Sequence, residues 1–134
     1  MIFEKASVNT IPDGLKLYAI ISGPALKKMG GNRGKLGAML GHAYVHAFWD
    51  AEARHPERAL KYKFSNHATK VLLICEDEDL MRQLAADYQD LCGTTVVEDA
   101  ALTVFKEKTF AAVGIGPLAH EERDPRLAGL KVLI

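Results

Sequence analysis

The sequence predicts an α/β fold, a single-domain sandwich in which a mixed four- to five-stranded sheet is flanked by helices. Three observations carry that prediction. Two runs, residues 15–22 and 69–75, are apolar on both parities, as central strands covered on both faces are. Between them Leu36, Leu40, Ala43, Ala47 and Ala51 repeat at helical spacing, so strand and helix alternate along the chain. A chain of 134 residues, 49% apolar and 25% charged, suits one domain around one core.

The elements follow in order. Residues 1–14 read as a lead-in ending in a turn at Pro12, Asp13 and Gly14, and residues 15–134 as the domain. Strand one is 15–22, stopped by Gly23 and Pro24. A basic, glycine-rich loop then feeds a long helix, 34–54, with the five residues named above as its core face. His55 and Pro56 break it, and Pro56, Glu57 and Arg58 open a short helix that ends near Phe64. Strand two is 69–75. Glu76 to Glu78 place carboxylates at the start of a helix reaching about Cys92, with Gly93 as its cap. Strand three is 94–97 and strand four 110–115, with a turn over Gly114, Ile115, Gly116 and Pro117. The tail carries one helical turn around 118–123 and a closing strand, 130–134. No repeat, linker or low-complexity segment interrupts the order.

Composition excludes several classes. Seventeen cations balance seventeen anions, so any contact with nucleic acid must come from a local patch. Cys75 and Cys92 lack metal or disulfide spacing, which suits a reduced chain. No apolar run approaches the roughly 18 residues of a membrane span, and Glu4, Lys5 and Asn9 interrupt any signal-peptide core. The expectation is a cytoplasmic protein.

The chemistry-bearing residues fall in two places. Gly30, Gly31 and Gly34 stand among Lys27, Lys28, Arg33 and Lys35 at the start of the long helix, where cations, dipole and free N–H groups together suit a phosphate. This is not a nucleotide loop of the common kinds. Gly30 is one residue too close to Gly34 for a Walker motif and Leu36 stands where its hydroxyl belongs, while no acidic residue follows at the dinucleotide distance. On the helix, Lys35, Met39, His42 and His46 share a stripe beside the core face. His42 and His46 have the spacing of a helical zinc pair, but no glutamate base or third ligand accompanies them, so no metal is expected. The second place is the end of strand three, with Glu98, Asp99 and, four residues on, Thr103. If strands one and three are parallel, Asp99 comes near the Lys35 and His42 stripe.

These residues lie in a pattern. Gly34-Lys35 with His42-Ala43, then Glu98-Asp99-Ala100-Ala101-Leu102-Thr103, then Gly114-Ile115-Gly116-Pro117 and Leu130-Lys131-Val132-Leu133, resemble the second class of peptidyl-tRNA hydrolases, typical of archaea and eukaryotes. The resemblance covers nearly the whole chain from about Leu15. It implies a mixed sheet flanked by helices and cleavage of the ester between a peptide and the terminal ribose of tRNA, with no cofactor. It also implies catalytic roles for Lys35, His42, Asp99 and Thr103, and contacts to the tRNA backbone from Lys27, Lys28, Arg33 and Lys35.

The chain departs from the family pattern at Met39 (usually glutamine), Ala101 (glycine) and Val104 (polar). Two further readings therefore stand beside the esterase. One is a diverged relative that binds a nucleic-acid end, a nucleotide or a protein partner without hydrolysis. The other is an α/β domain whose edge or helical face, with Phe48 and Trp49, forms a homodimer. The roles of His46, His67 and His120 depend on tertiary geometry.

Overall fold

The first apolar run forms strand β1, Lys16–Ser22, in which every residue after Lys16 is buried. A computed structural model of the chain describes residues 10–99 and 107–133. The other strands are β2 (Lys70–Cys75), β3 (Gly93–Asp99), β4 (Thr109–Leu118) and β5 (Lys131–Val132), and the five make one sheet in the order β3-β4-β1-β2-β5. β1 and β2 are parallel, β4 is antiparallel to β1 and β3, and β5 is antiparallel to β2, so the sheet is mixed as expected. Two reversals across β4 leave β3 pointing the same way as β1. The C-terminal ends of β1, β2 and β3 therefore share one edge.

Among the described residues the helical elements are α1 (Gly23–Met29), α2 (Arg33–Arg54), α3 (Pro56–Lys63), α4 (Glu78–Asp87) and α5 (Pro125–Ala128), with a 3-10 turn at His120–Glu122. The expected core face of α2 is the one buried: Ala43, Ala47 and Ala51 are fully enclosed, and Leu36 and Leu40 pack beside them against Ala19, Ile21 and Ala112. The opposite face of the sheet is covered by Met81 and Leu84 of α4 and Leu127 of α5, packed on Ile20, Val113 and Ile115. Small residues let α2 lie very close. A Cβ on Gly93 would run into the Ala47 carbonyl, and one on Gly114 into that of Ala43.

Four expectations are corrected. Residues 23–29 are helical where a loop was expected: buried Ser22 caps α1, accepting from the Ala25 N–H at 3.0 Å, and Pro24 sits in the first turn, where its missing N–H does no harm. Gly114 to Pro117 lie inside β4, not in a turn after it. There Gly116 and Pro117 together face the one residue Leu17, a bulge that spares proline a ladder bond. The helix expected to reach Cys92 ends at Asp87, and Gly93 opens β3 and does not cap that helix. In the tail, Leu118 closes β4, and the unforeseen α5 starts where Asp124 accepts from Arg126 and Leu127 N–H groups. The closing strand is only Lys131–Val132, and Ile134 is outside the described residues.

One buried ion pair fastens the far end. The Arg58 guanidinium grips Glu122 through two bonds of 2.6 and 2.8 Å and donates to the Pro117 carbonyl, while Glu122 accepts from Ala119 N–H. This joins α3 to the end of β4.

Candidate functional site

Asp99 is the last residue of β3, so the parallel course of β1 and β3 sets it on the edge where Ser22 begins α1. Lys35 occupies the first turn of α2, held there because Asn32 caps the helix and accepts from the Lys35 N–H at 2.9 Å. The two side chains meet in an ion pair, with 12% of Lys35 and 6% of Asp99 exposed. Little water reaches it, so the pair's charges act at close range on whatever binds beside them.

At the other end of α2, Asp50 accepts from Thr94 N–H at 2.9 Å and pairs with Arg54, whose guanidinium holds the Asp50 carboxyl below the usual range. Helix α2 is thus fastened to both ends of β3, running antiparallel to it. Lys35, Met39, His42, His46 and Asp50 share one side of the helix by their spacing, and Lys35 and Asp50 at its two ends meet that strand. His42, two turns on from Lys35, is exposed and stacks on His46 with ring centroids 3.8 Å apart. Partial burial, and then His46, lower the His42 pKa from the usual 6.5. The neutral imidazole that results near pH 7 can accept a proton.

The structure brings Lys35 and Asp99 together and sets His42 on the same stripe. Thr103, with Ala101 and Val104, lies outside the described residues. Lys27, Lys28 and Arg33 are exposed around the Gly30 and Gly31 turn, in which both glycines have positive φ, 58° and 85°. The expected cradle of free helical N–H groups is altered, since the Asn32 side chain occupies the Lys35 donor. Charge is what this corner offers an anion. His67 precedes β2 and His120 follows β4, and both lie at the opposite edge from Asp99. Met39 is partly buried against the apolar cluster under α2.

Neither cysteine adds a nucleophile to this edge. Both thiols are buried, and burial pushes Cys92 up to about 12 and Cys75 above its ordinary value, so neither supplies a thiolate at neutral pH. Among the described residues no group of three or more His, Cys, Asp or Glu side chains is placed to hold a metal. None of the helices described is long and apolar enough to cross a membrane. What sequence reasoning did not find is the Asp50 clamp, because a carboxylate 44 residues from its backbone donor leaves no local signal.

Comparison with known proteins gives a consistent result. The family model described as peptidyl-tRNA hydrolase PTH2 matches residues 24–133. The chain is 32% identical over 104 residues to the peptidyl-tRNA hydrolase of Methanopyrus kandleri, spanning 76% of this chain and 87% of that protein. It is 27% identical over 105 residues to the peptidyl-tRNA hydrolase of Methanocaldococcus jannaschii, spanning 78% and 91%. A third, from Staphylothermus marinus, is 28% identical over 102 residues, spanning 76% and 84%.

Proposed function

The chain belongs to the peptidyl-tRNA hydrolase PTH2 family, and from that membership we propose that it cleaves the ester between a peptide and the 3′ ribose of tRNA. The observation that carries this reading is the Lys35–Asp99 pair at the shared edge of β1 and β3, with His42 on the same stripe of α2. In this reading Asp99 and His42 orient a water, whose oxygen attacks the ester carbonyl carbon while its proton passes to the neutral His42 ring. Lys35 stabilises the oxyanion that forms, and Thr103 has the role of positioning the ester. The tetrahedral carbon then expels the ribose oxygen, which takes the proton back from His42. The products are a free peptide carboxyl group and a tRNA 3′ terminus.

Exposed Lys27, Lys28 and Arg33 supply the contact to the tRNA backbone, which carries affinity without reading sequence. The test is release of tRNA from N-acetyl-aminoacyl-tRNA by the purified chain beside His42→Ala and Asp99→Ala. Turnover that collapses in both variants is expected; wild-type turnover that survives in both would remove these residues from the mechanism.

One observation favours a second reading, a relative that binds tRNA without hydrolysis. Met39 presents a thioether packed on the core at the position between Lys35 and His42 where the family carries a polar amide, so the stripe has one fewer group to hold a water. Salt-sensitive tRNA binding with no turnover in the wild type is the outcome that selects it.

A further inference from the structure

The second half of α2 carries apolar surface that neither the core nor the Lys35–Asp99 site uses. Trp49 is 57% exposed and Val45 44%, far more than packing would leave to large apolar side chains. With Tyr44, Phe48 and Tyr62 they line an open groove of about 310 Å³. The groove is connected to the site. The Trp49 ring lies 5.0 Å from His46, whose ring stacks on His42, so ring contacts run without a break from His42 to the groove wall.

Charge divides along the same direction. Lys27, Lys28 and Arg33 lie before or at the start of α2, whereas at the far end Glu52 and Asp50, the latter paired with Arg54, stand close to Trp49 in the chain. Two exposed lysines also line the groove: Lys70 donates to the Ala68 carbonyl and the Tyr62 hydroxyl, and Lys63 lies 5.9 Å from the Phe64 ring centroid, so two cations here stand against three before and at the start of α2. A polyanion gains more at the start of the helix than here.

We propose that this groove receives apolar side chains of the peptide arm of the substrate, making Trp49 and Val45 specificity-determining residues; the inference rests on the hydrolase reading above. A peptidyl-tRNA has two arms that diverge from its ester, one a polyanion and one a peptide. The exposed cations before α2 draw the first arm to one side of His42. The second arm then leaves along His46 and Trp49, where apolar side chains leave water for apolar walls.

Trp49 is the single tryptophan of the chain, so its fluorescence reports on the groove directly. The test titrates the full chain with tRNA carrying an N-acetylated peptide of leucine and phenylalanine through a non-hydrolysable 3′-amide, and with the same tRNA deacylated. A saturable blue shift with the first and none with the second is expected. An equal shift with deacylated tRNA would mean that nucleic acid fills the groove, and no shift with either would mean the groove takes no substrate; each overturns the proposal. In parallel, the ester form of that peptidyl-tRNA is compared with N-acetylglycyl-tRNA. The expected kcat/KM ratio is about tenfold in favour of the apolar peptide, falling toward one in Trp49→Ala and Val45→Asp, whose thermal melts report their folding. Equal kcat/KM values in the wild type would overturn the groove assignment and leave the hydrolase standing. Hydrolysis of neither ester, with the blue shift retained, would sink the hydrolase and leave the groove.

Discussion

Lys35 and Asp99 form an ion pair across the gap between the first turn of α2 and the last residue of β3, where both are largely shielded from water. Removing the ammonium takes one charged partner from a carboxylate that is only 6% exposed. Lys35→Met is therefore expected to lower stability by roughly 2–4 kcal/mol in urea unfolding, near the range for breaking a buried pair. If Lys35 faces the oxyanion, single-turnover hydrolysis should also fall by about 10²-fold or more, and a loss of less than about tenfold would assign the pair to structure alone.

The stacked rings of His42 and His46 set a pH dependence. In the proposed reaction His42 works as a base in its neutral form, and partial burial followed by the His46 charge lower its pKa from 6.5. Activity is thus present above that pKa and lost as pH falls through it, with the acid limb of kcat/KM below 6.5. Truncating His46 to alanine relaxes both causes, since the ring that covers His42 and the charge beside it go together. The limb in His46→Ala should move toward higher pH; a limb that stays put would mean another group titrates there.

Much of this arrangement is legible in the sequence because its signals are local. The repeat of Leu36, Leu40, Ala43, Ala47 and Ala51 marks the buried side of α2, and that in turn places Lys35 and His42 on a neighbouring stripe. The meeting of Lys35 with Asp99 needs one further step, that β1 and β3 run the same way. What is not legible has two causes. Ser22-Gly23-Pro24 reads as a strand stop, although a capping serine followed by proline in the first turn also starts a helix, and tertiary packing of Ala25 and Met29 decides for the helix. The Arg58–Glu122 and Asp50–Thr94 contacts join residues 64 and 44 apart, and no periodicity reports a pairing at that range.

The close seating of α2 on the sheet is open to a simple test. Gly114 lies beneath Ala43, and a Cβ there would overlap the Ala43 carbonyl and reach the Ala47 methyl at 3.0 Å. Backbone cannot rotate aside as a side chain can, so the helix must lift. Gly114→Ala should lose about 1–3 kcal/mol in urea unfolding, the range for overpacking a core. Because lifting α2 moves Lys35 relative to Asp99, turnover should fall in the same variant, and unchanged stability would show that α2 sits less tightly than described.

The Arg58–Glu122 pair makes an opposite kind of prediction, in which two changes do less harm than one. Arg58 is 7% exposed and held by both carboxylate oxygens of Glu122, so Glu122→Met strands a guanidinium in the interior. That single change should destabilise by roughly 3–5 kcal/mol, whereas Arg58→Met with Glu122→Met replaces the pair by apolar volume and should recover part of the loss. Strict additivity in the double-mutant cycle would mean that the two groups do not depend on each other.

The corner formed by Lys27, Lys28 and Arg33 predicts how tRNA affinity responds to salt. The three are exposed, and Asn32 has taken the Lys35 N–H that an anion might otherwise share, so attraction there comes from side-chain charge that counterions screen. Each phosphate contact contributes a slope of roughly 0.7–0.9 in log affinity against log salt. Changing all three to glutamine should therefore raise KM for peptidyl-tRNA at low salt and flatten its salt dependence by about two units of slope. Asn32→Ala provides the contrast: it frees one backbone donor but removes no charge, so it should lower stability by about 1 kcal/mol through the lost cap and leave the slope as it was. A slope that changes with Asn32 and not with the three cations would move phosphate recognition from the side chains to the helix end.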